Sequence, residues 1–301
     1  MLFGQILRSF ACRTVTRNVL RTFHHAARNE FAKRAFLRPA AVGGGGGLLA
    51  LSLWQKVTED PDSAHKKKIQ DIIARADAMY DNHMFDALYD YLKEQCSSPA
   101  TGGGNAELLW RFARASYEKG KKSQHTVERR TFVFEAFEHA KRALELDEKS
   151  FAAHKWYAIL LEAKSAYEGT TAKIKESYKI RDHLMRALDL NPIDATTWHI
   201  LGVWYFTIAS LKWYERKVAS TFFATPPTAT FQEALDCFLK AESINPNFYS
   251  QNLLYLGKTY KEMGDAISAK RYLKSTVEYV VVTADDHSAH DEAEKLLKEI
   301  K

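Results

Sequence analysis

Three places in the sequence hold residue types that could do chemistry. His287 and His290, beside Asp285, Asp286 and Asp291, offer imidazole nitrogens and carboxylates to a divalent cation. The same run also reads as the solvated, polar start of a last helix, and that reading is preferred. The five glycines Gly43–Gly47 resemble a phosphate-cradling loop, but no Lys-Ser or Lys-Thr pair follows them and no strand precedes them. Cys12, Cys96 and Cys237 lie far apart, with neither a disulfide framework nor paired metal spacing. Cys237, beside Phe238, reads as a small buried hydrophobe. There is no nucleophile elbow and no paired-histidine zinc motif. The expectation is a non-enzymatic chain that needs no cofactor.

The basic residues point elsewhere. The chain has 301 residues, 46% of them hydrophobic and 27% charged, and a net charge of +6. Residues 1–40 carry eight Lys or Arg against the single acid Glu30, whereas the remainder holds 35 basic and 36 acidic residues. The positive charge belongs to the leader, so a nucleic-acid partner is not expected. Residues 1–40, with Arg8, Arg13, Arg17 and Arg21 opposite Leu2, Phe3, Ile6, Leu7 and Phe10, read as a mitochondrial targeting segment. A disordered basic tail is the alternative. Residues 41–60 follow as a glycine-rich apolar segment, ending in Leu48-Leu49-Ala50-Leu51-Ser52-Leu53-Trp54. It is shorter than the ~20 residues a spanning helix needs, so a weak anchor and a flexible linker both stand.

Residues 61–301 carry a recurring pattern. Trp198, Leu201-Gly202 and Tyr205 return as Leu253, Leu256-Gly257 and Tyr260. Each set is followed by alternating small and bulky residues: Ala234, Phe238 and Ala241 before Pro246, then Ala269, Leu273 and Thr276. This is the grammar of a tetratricopeptide repeat, two helices (A and B) in about 34 residues. Small residues let the paired helices approach, and bulky ones fill the space between them. Earlier repeats show Phe112-Ala113 with Ala136, Ala140 and Ala143, and Tyr157-Ala158 with Ile180, Leu184 and Ala187. Their ends at Asp147-Glu148, Asn191-Pro192 and Asn245-Pro246 lie 44 and 54 residues apart. Ten and twenty residues beyond the usual length are therefore expected between helices A and B. An entry pair near 63–80 and 83–96, a fourth repeat at 248–281 and a capping helix near 286–300 complete the pattern. The fold class is all-α, a tetratricopeptide-like helical solenoid with expanded repeats.

In such repeats positions two, five, nine and twelve of helix A line the concave face. Counting gives Glu107, Trp110, Arg114 and Tyr117 in the first repeat and Ala152, Lys155, Ile159 and Glu162 in the second. The third offers Thr196, His199, Val203 and Phe206, and the fourth Gln251, Leu254, Lys258 and Lys261. This mixed, aromatic and mildly basic groove suits an extended peptide or an acyl chain with an anionic head. It lacks the Lys and Asn clamp of chaperone-binding repeats, and burial of part of it by the inserts is the alternative. The third-repeat insert, about 210–229, carries Lys212, Trp213, Tyr214, Arg216 and Lys217, then Phe222 and Phe223. Exposed, it would suit an acidic tubulin tail or a membrane surface. Folded back with its aromatics as core, the slightly favoured reading, it would plug the solenoid, with Pro226-Pro227 fixing the return.

Five blocks together resemble the regulator of microtubule dynamics family: His154-Lys155-Trp156-Tyr157-Ala158, Trp213-Tyr214-Glu215-Arg216, Phe223-Ala224-Thr225-Pro226-Pro227, Asn245-Pro246-Asn247-Phe248-Tyr249-Ser250 and Leu256-Gly257-Lys258-Thr259-Tyr260. The resemblance covers roughly residues 65–300 and is closest to the short mitochondrial branch, although the poly-glycine leader departs from it. It implies association with microtubules and roles in spindle and chromosome behaviour. It also implies, for some members, residence at mitochondria or their contacts with the endoplasmic reticulum, where the repeat domain is linked to phospholipid binding. No catalytic residues carry over. Mitochondrion is the expected location, with cytoplasm and spindle as the alternative.

Overall fold

The computed structural model describes residues 61–98, 101, 104–221 and 228–300. The leader, the glycine-rich segment, Phe222, Phe223 and Pro226-Pro227 lie outside the described residues. Helices α1 (Pro61–Asp81) and α2 (Phe85–Ser97) form the entry pair. Repeats one and two are α3 (Ala106–Lys122) with α4 (Thr126–Leu146), and α5 (Phe151–Glu168) with α6 (Thr170–Leu190). Repeat three is α7 (Ala195–Ala209) with α9 (Phe231–Ile244), interrupted by the short α8 (Trp213–Ala219). Repeat four is α10 (Ser250–Glu262) with α11 (Ala266–Val277), and α12 (Ala284–Glu299) closes the stack. Among the described residues there is no strand, and no helix is long and apolar enough to cross a membrane.

Local chemistry sets where the helices begin. Asn105, Ser150, Asp194 and Asp265 each accept a hydrogen bond from the backbone N–H three residues on. Thr230 with Glu233, and Thr283 with Asp286, form reciprocal capping boxes. The expected ends of repeats one to three share one geometry. The N–H groups of Asp147, Asn191 and Asn245 donate to the carbonyls of Ala143, Ala187 and Ala241.

Within each repeat the two helices meet at a small residue. A Cβ built on Gly202 would lie 2.6 Å from the Phe238 ring, and one on Gly257 would lie 2.6 Å from Leu273 Cγ. Phe238 and Leu273 are fully buried, as are Ala113 and Ala158 at the matching positions of repeats one and two. Across repeats the described helices meet mainly B to the next A, as in α4 with α5 and α9 with α10, with lesser A to A contact of α3 with α5 and α7 with α10. Cys237 is buried, as its neighbours implied, and burial pushes its thiol up to about 12.

The expanded repeats differ from expectation in one respect. The additional residues of repeat two do not form a loop: α5 and α6 run 18 and 21 residues and are separated by Gly169 alone. Gly169 sits at φ +101°, a conformation that L side chains rarely adopt. Only repeat three spends its extra length on a separate insert.

Two histidine contacts join helices inside the stack. His154 Nε2 lies 3.0 Å from the Glu148 carbonyl, which can only accept, so its Nδ1 receives the 2.8 Å bond from His183 Nδ1–H. Asn252 donates through Nδ2 to the Phe238 carbonyl and Glu242, which leaves its Oδ1 to accept from His199 Nδ1 at 3.1 Å. That network ties α7, α9 and α10 together. Burial lowers all three histidines, His183 and His199 to about 4.

Two outcomes are expected. Gly202→Ala forces a methyl into the Phe238 ring, and overpacking of this kind costs ~1–3 kcal/mol, more than the ~1 kcal/mol of helix propensity that alanine adds. A lowered urea midpoint at unchanged slope checks it. The histidines charge more readily in the unfolded chain, so their share of stability is full above the unfolded value near 6.5 and is lost as pH falls toward about 4. His183→Gln should therefore narrow the difference in unfolding free energy between pH 7 and pH 5.

Candidate functional site

The residues counted onto the concave face are largely buried, and their cations are paired internally. Tyr117, Ile159, His199, Val203 and Leu254 are all buried, and Leu254 is covered by Ala289 and Ala293 of α12. Trp110 is also buried, its Nε1 donating to Glu107 Oε2 at 3.0 Å. Phe206 is half-buried, its ring 5.4 Å from both Phe231 and Tyr255. Ala152 and Gln251 are buried too, Gln251 donating to the Asp285 carbonyl. Among the described residues, neighbouring helices of the stack supply this covering, as α12 does over Leu254.

The expected basic character is corrected by pairing. Arg114 lies 3.0 Å from Asp77 of α1 and stacks 3.6 Å over Tyr80. Lys155 lies 3.1 Å from Asp194, Lys258 2.7 Å from Glu292 and Lys261 2.6 Å from Glu299. Each partner sits on an adjacent helix A, or on its cap, about one repeat away. Burial opposes the charge on Asp194, but Lys155 and the hydrogen bonds from Thr197 outweigh it and hold the carboxyl below its ordinary range. The four groove cations that an anionic lipid head would need are thus already committed to carboxylates.

Two acids stand out as the counterpart. The Glu118 side chain is 3% exposed, its Oε1 has no hydrogen-bond partner, and Oε2 lies 3.7 Å from Lys121. The Glu162 side chain is 17% exposed, yet both carboxylate oxygens are shielded and without a hydrogen-bond partner, and Lys173 lies 3.9 Å away. Burial pushes both up to about 7, partly offset by these lysines. Counting placed Glu162 on the concave face without revealing its isolation. Glu118 was missed; it directly follows Tyr117 in a helix whose Leu108–Tyr117 stretch is buried apart from Arg114.

The insert also departs from the favoured reading. Trp213 is 76% and Tyr214 47% exposed, so neither is core, and Lys212, Arg216 and Lys217 are exposed beside them. Arg216 is engaged all the same, donating to the carbonyls of Ala209 and Leu211 at the end of α7. That placement suits a cation at a helix C-terminus.

The His287 and His290 region is built into the stack. Asp286 accepts from Thr283 and from Ser250 at 2.7 Å, and Asp285 and Asp286 are buried rather than solvated. His287 is exposed, and His290 lies 3.7 Å from Asp291 and 4.0 Å from Glu294. Among the described residues no group of three or more His, Cys, Asp or Glu could hold a metal ion.

The geometry is that of a stack of helix pairs, and comparison with known proteins gives its fold and family. A thermophilic TPR protein of Thermus thermophilus shares the fold, with a TM-score of 0.53, 15% identity, and coverage of 75% of this chain and 99% of that one. Regulator of microtubule dynamics protein 1 of Pongo abelii is 43% identical over 76% of this chain and 72% of its own. The Mus musculus protein of that name is 40% identical over 88% and 84%. Regulator of microtubule dynamics protein 3 of Xenopus laevis is 35% identical over 65% of this chain and 42% of its own. The family model described as regulator of microtubule dynamics protein 1-3 matches residues 72–301, most of the stack, and the chain belongs to that family.

Proposed function

We propose that the chain is a non-enzymatic regulator that attaches to microtubules through the exposed insert of repeat three. The observation that carries this reading is the exposure of Trp213 and Tyr214 beside Lys212 and Lys217. An indole and a phenol offer flat apolar area, and the two lysines add positive charge, which together suit a flexible acidic segment such as a tubulin tail. The interior supports the same choice, because the cations Arg114, Lys155, Lys258 and Lys261 are spent on internal carboxylates. The rest of the chain beyond the leader is near charge balance, so attachment is local and salt-sensitive.

The leader adds a second proposal. Its arginine-rich, acid-poor composition supports targeting to mitochondria, which would hold the scaffold at that organelle.

Two measurements check these readings. In microtubule co-sedimentation the full chain should pellet at low salt and release at moderate salt. Trp213→Ala with Lys212→Glu and Lys217→Glu should weaken pelleting about tenfold, equivalent to ~1.4 kcal/mol. Arg216 is left in place because it holds the end of α7. Undiminished pelleting of the triple variant would remove the insert from the contact. A fluorescent fusion of residues 1–60 should collect at mitochondria. A diffuse or spindle signal would point to the alternative location.

A further inference from the structure

We infer that the interior of the solenoid around Tyr117 receives a cationic group, the lysine or arginine side chain of a basic partner peptide, between Glu118 and Glu162. This goes beyond the microtubule reading and does not rest on it. The observation is a mismatch of donors and acceptors. Four concave-face cations, Arg114, Lys155, Lys258 and Lys261, are paired with carboxylates within 3.1 Å. Glu118 and Glu162 instead present three shielded oxygens with no hydrogen-bond donor among the described residues. Lys121 and Lys173 stay at 3.7 and 3.9 Å, near enough to moderate the charge but beyond hydrogen-bonding distance.

Tyr117 is the common neighbour. It is 3% exposed, and the charges of Glu118, Glu162 and Asp285 all bear on its hydroxyl. Asp285, at the start of α12, adds to the negative charge that burial makes costly on Glu118. Trp156, with its ring centroid 6.2 Å from that of Tyr117, and Ile159 supply the apolar and aromatic walls against which an alkyl stem would lie. Charge complementarity selects the occupant. A buried carboxylate without a donor is costly, and a donor-rich guanidinium or ammonium removes that cost where a neutral or acidic group does not. The carboxylates and lysines facing the site from α3, α5, α6 and α12 are Glu118, Lys121, Glu162, Lys173 and Asp285, joined by Arg114.

The experiment uses the full chain at moderate salt with two labelled synthetic peptides, one alternating leucine with lysine and one alternating leucine with glutamate. The lysine peptide should bind at least about tenfold more tightly, and Glu118→Gln with Glu162→Gln should erase that preference. Equal binding of the two peptides, or a preference untouched by the double variant, would overturn the proposal. Thermal melting of the same variant provides a second reading. Both carboxyls titrate at higher pH in the fold than in the unfolded chain, so their charges cost stability as pH rises toward about 7. The double variant should melt higher than the parent at pH 8, with a smaller gain at pH 5. A lower melting point at pH 8 would mean the two acids brace the helices rather than await a ligand. Microtubule pelleting should be unchanged, which separates failure here from failure of the insert.

Discussion

The architecture depends on how closely two helices can approach at one residue. At Gly202 and Gly257 the partner side chain occupies the space where a Cβ would stand, and Ala113 and Ala158 hold the corresponding buried positions. Helix pairs set at that distance leave apolar faces that only the next pair can cover, which is why the chain stacks instead of collapsing. The spacing also explains why repeat length varies so freely. Repeat two lengthens its helices beyond the contact and repeat three adds an insert, and neither disturbs the residues at the crossing.

On the inner rim the ordering principle is electrostatic. Arg114–Asp77, Lys155–Asp194, Lys258–Glu292 and Lys261–Glu299 join residues 37, 39, 34 and 38 apart in sequence. Those separations are close to one repeat, so each pair spans neighbouring units. Partly exposed pairs contribute little singly, and their larger effect is to set the angle between adjacent A helices. The buried His199–Asn252 contact does the same inside repeats three and four, with its hydrogen bonds satisfied on both sides.

Much of this was legible in the sequence because it is local. Cap residues, alternating small and bulky positions and the Asp147, Asn191 and Asn245 ends are decided within a turn or two of helix. What stayed hidden depends on neighbours a repeat away. Lys155 reads as a free cation until Asp194 is placed beside it, and Glu162 reads as one more groove residue until no donor arrives. Trp213 and Tyr214 misled for another reason: an aromatic run looks like core, and only the fold tells whether there is a core left to fill.

Arg216 gives the insert a mechanical meaning. Its guanidinium fastens the exposed segment to the last carbonyl of α7, the helix that carries Gly202 and His199 deeper in the stack, and to that of Leu211 just beyond it. A tug on Trp213 is therefore delivered to the end of a rigid rod, not absorbed by a slack loop. Whatever grips the insert holds a lever whose fulcrum is the Gly202–Phe238 crossing.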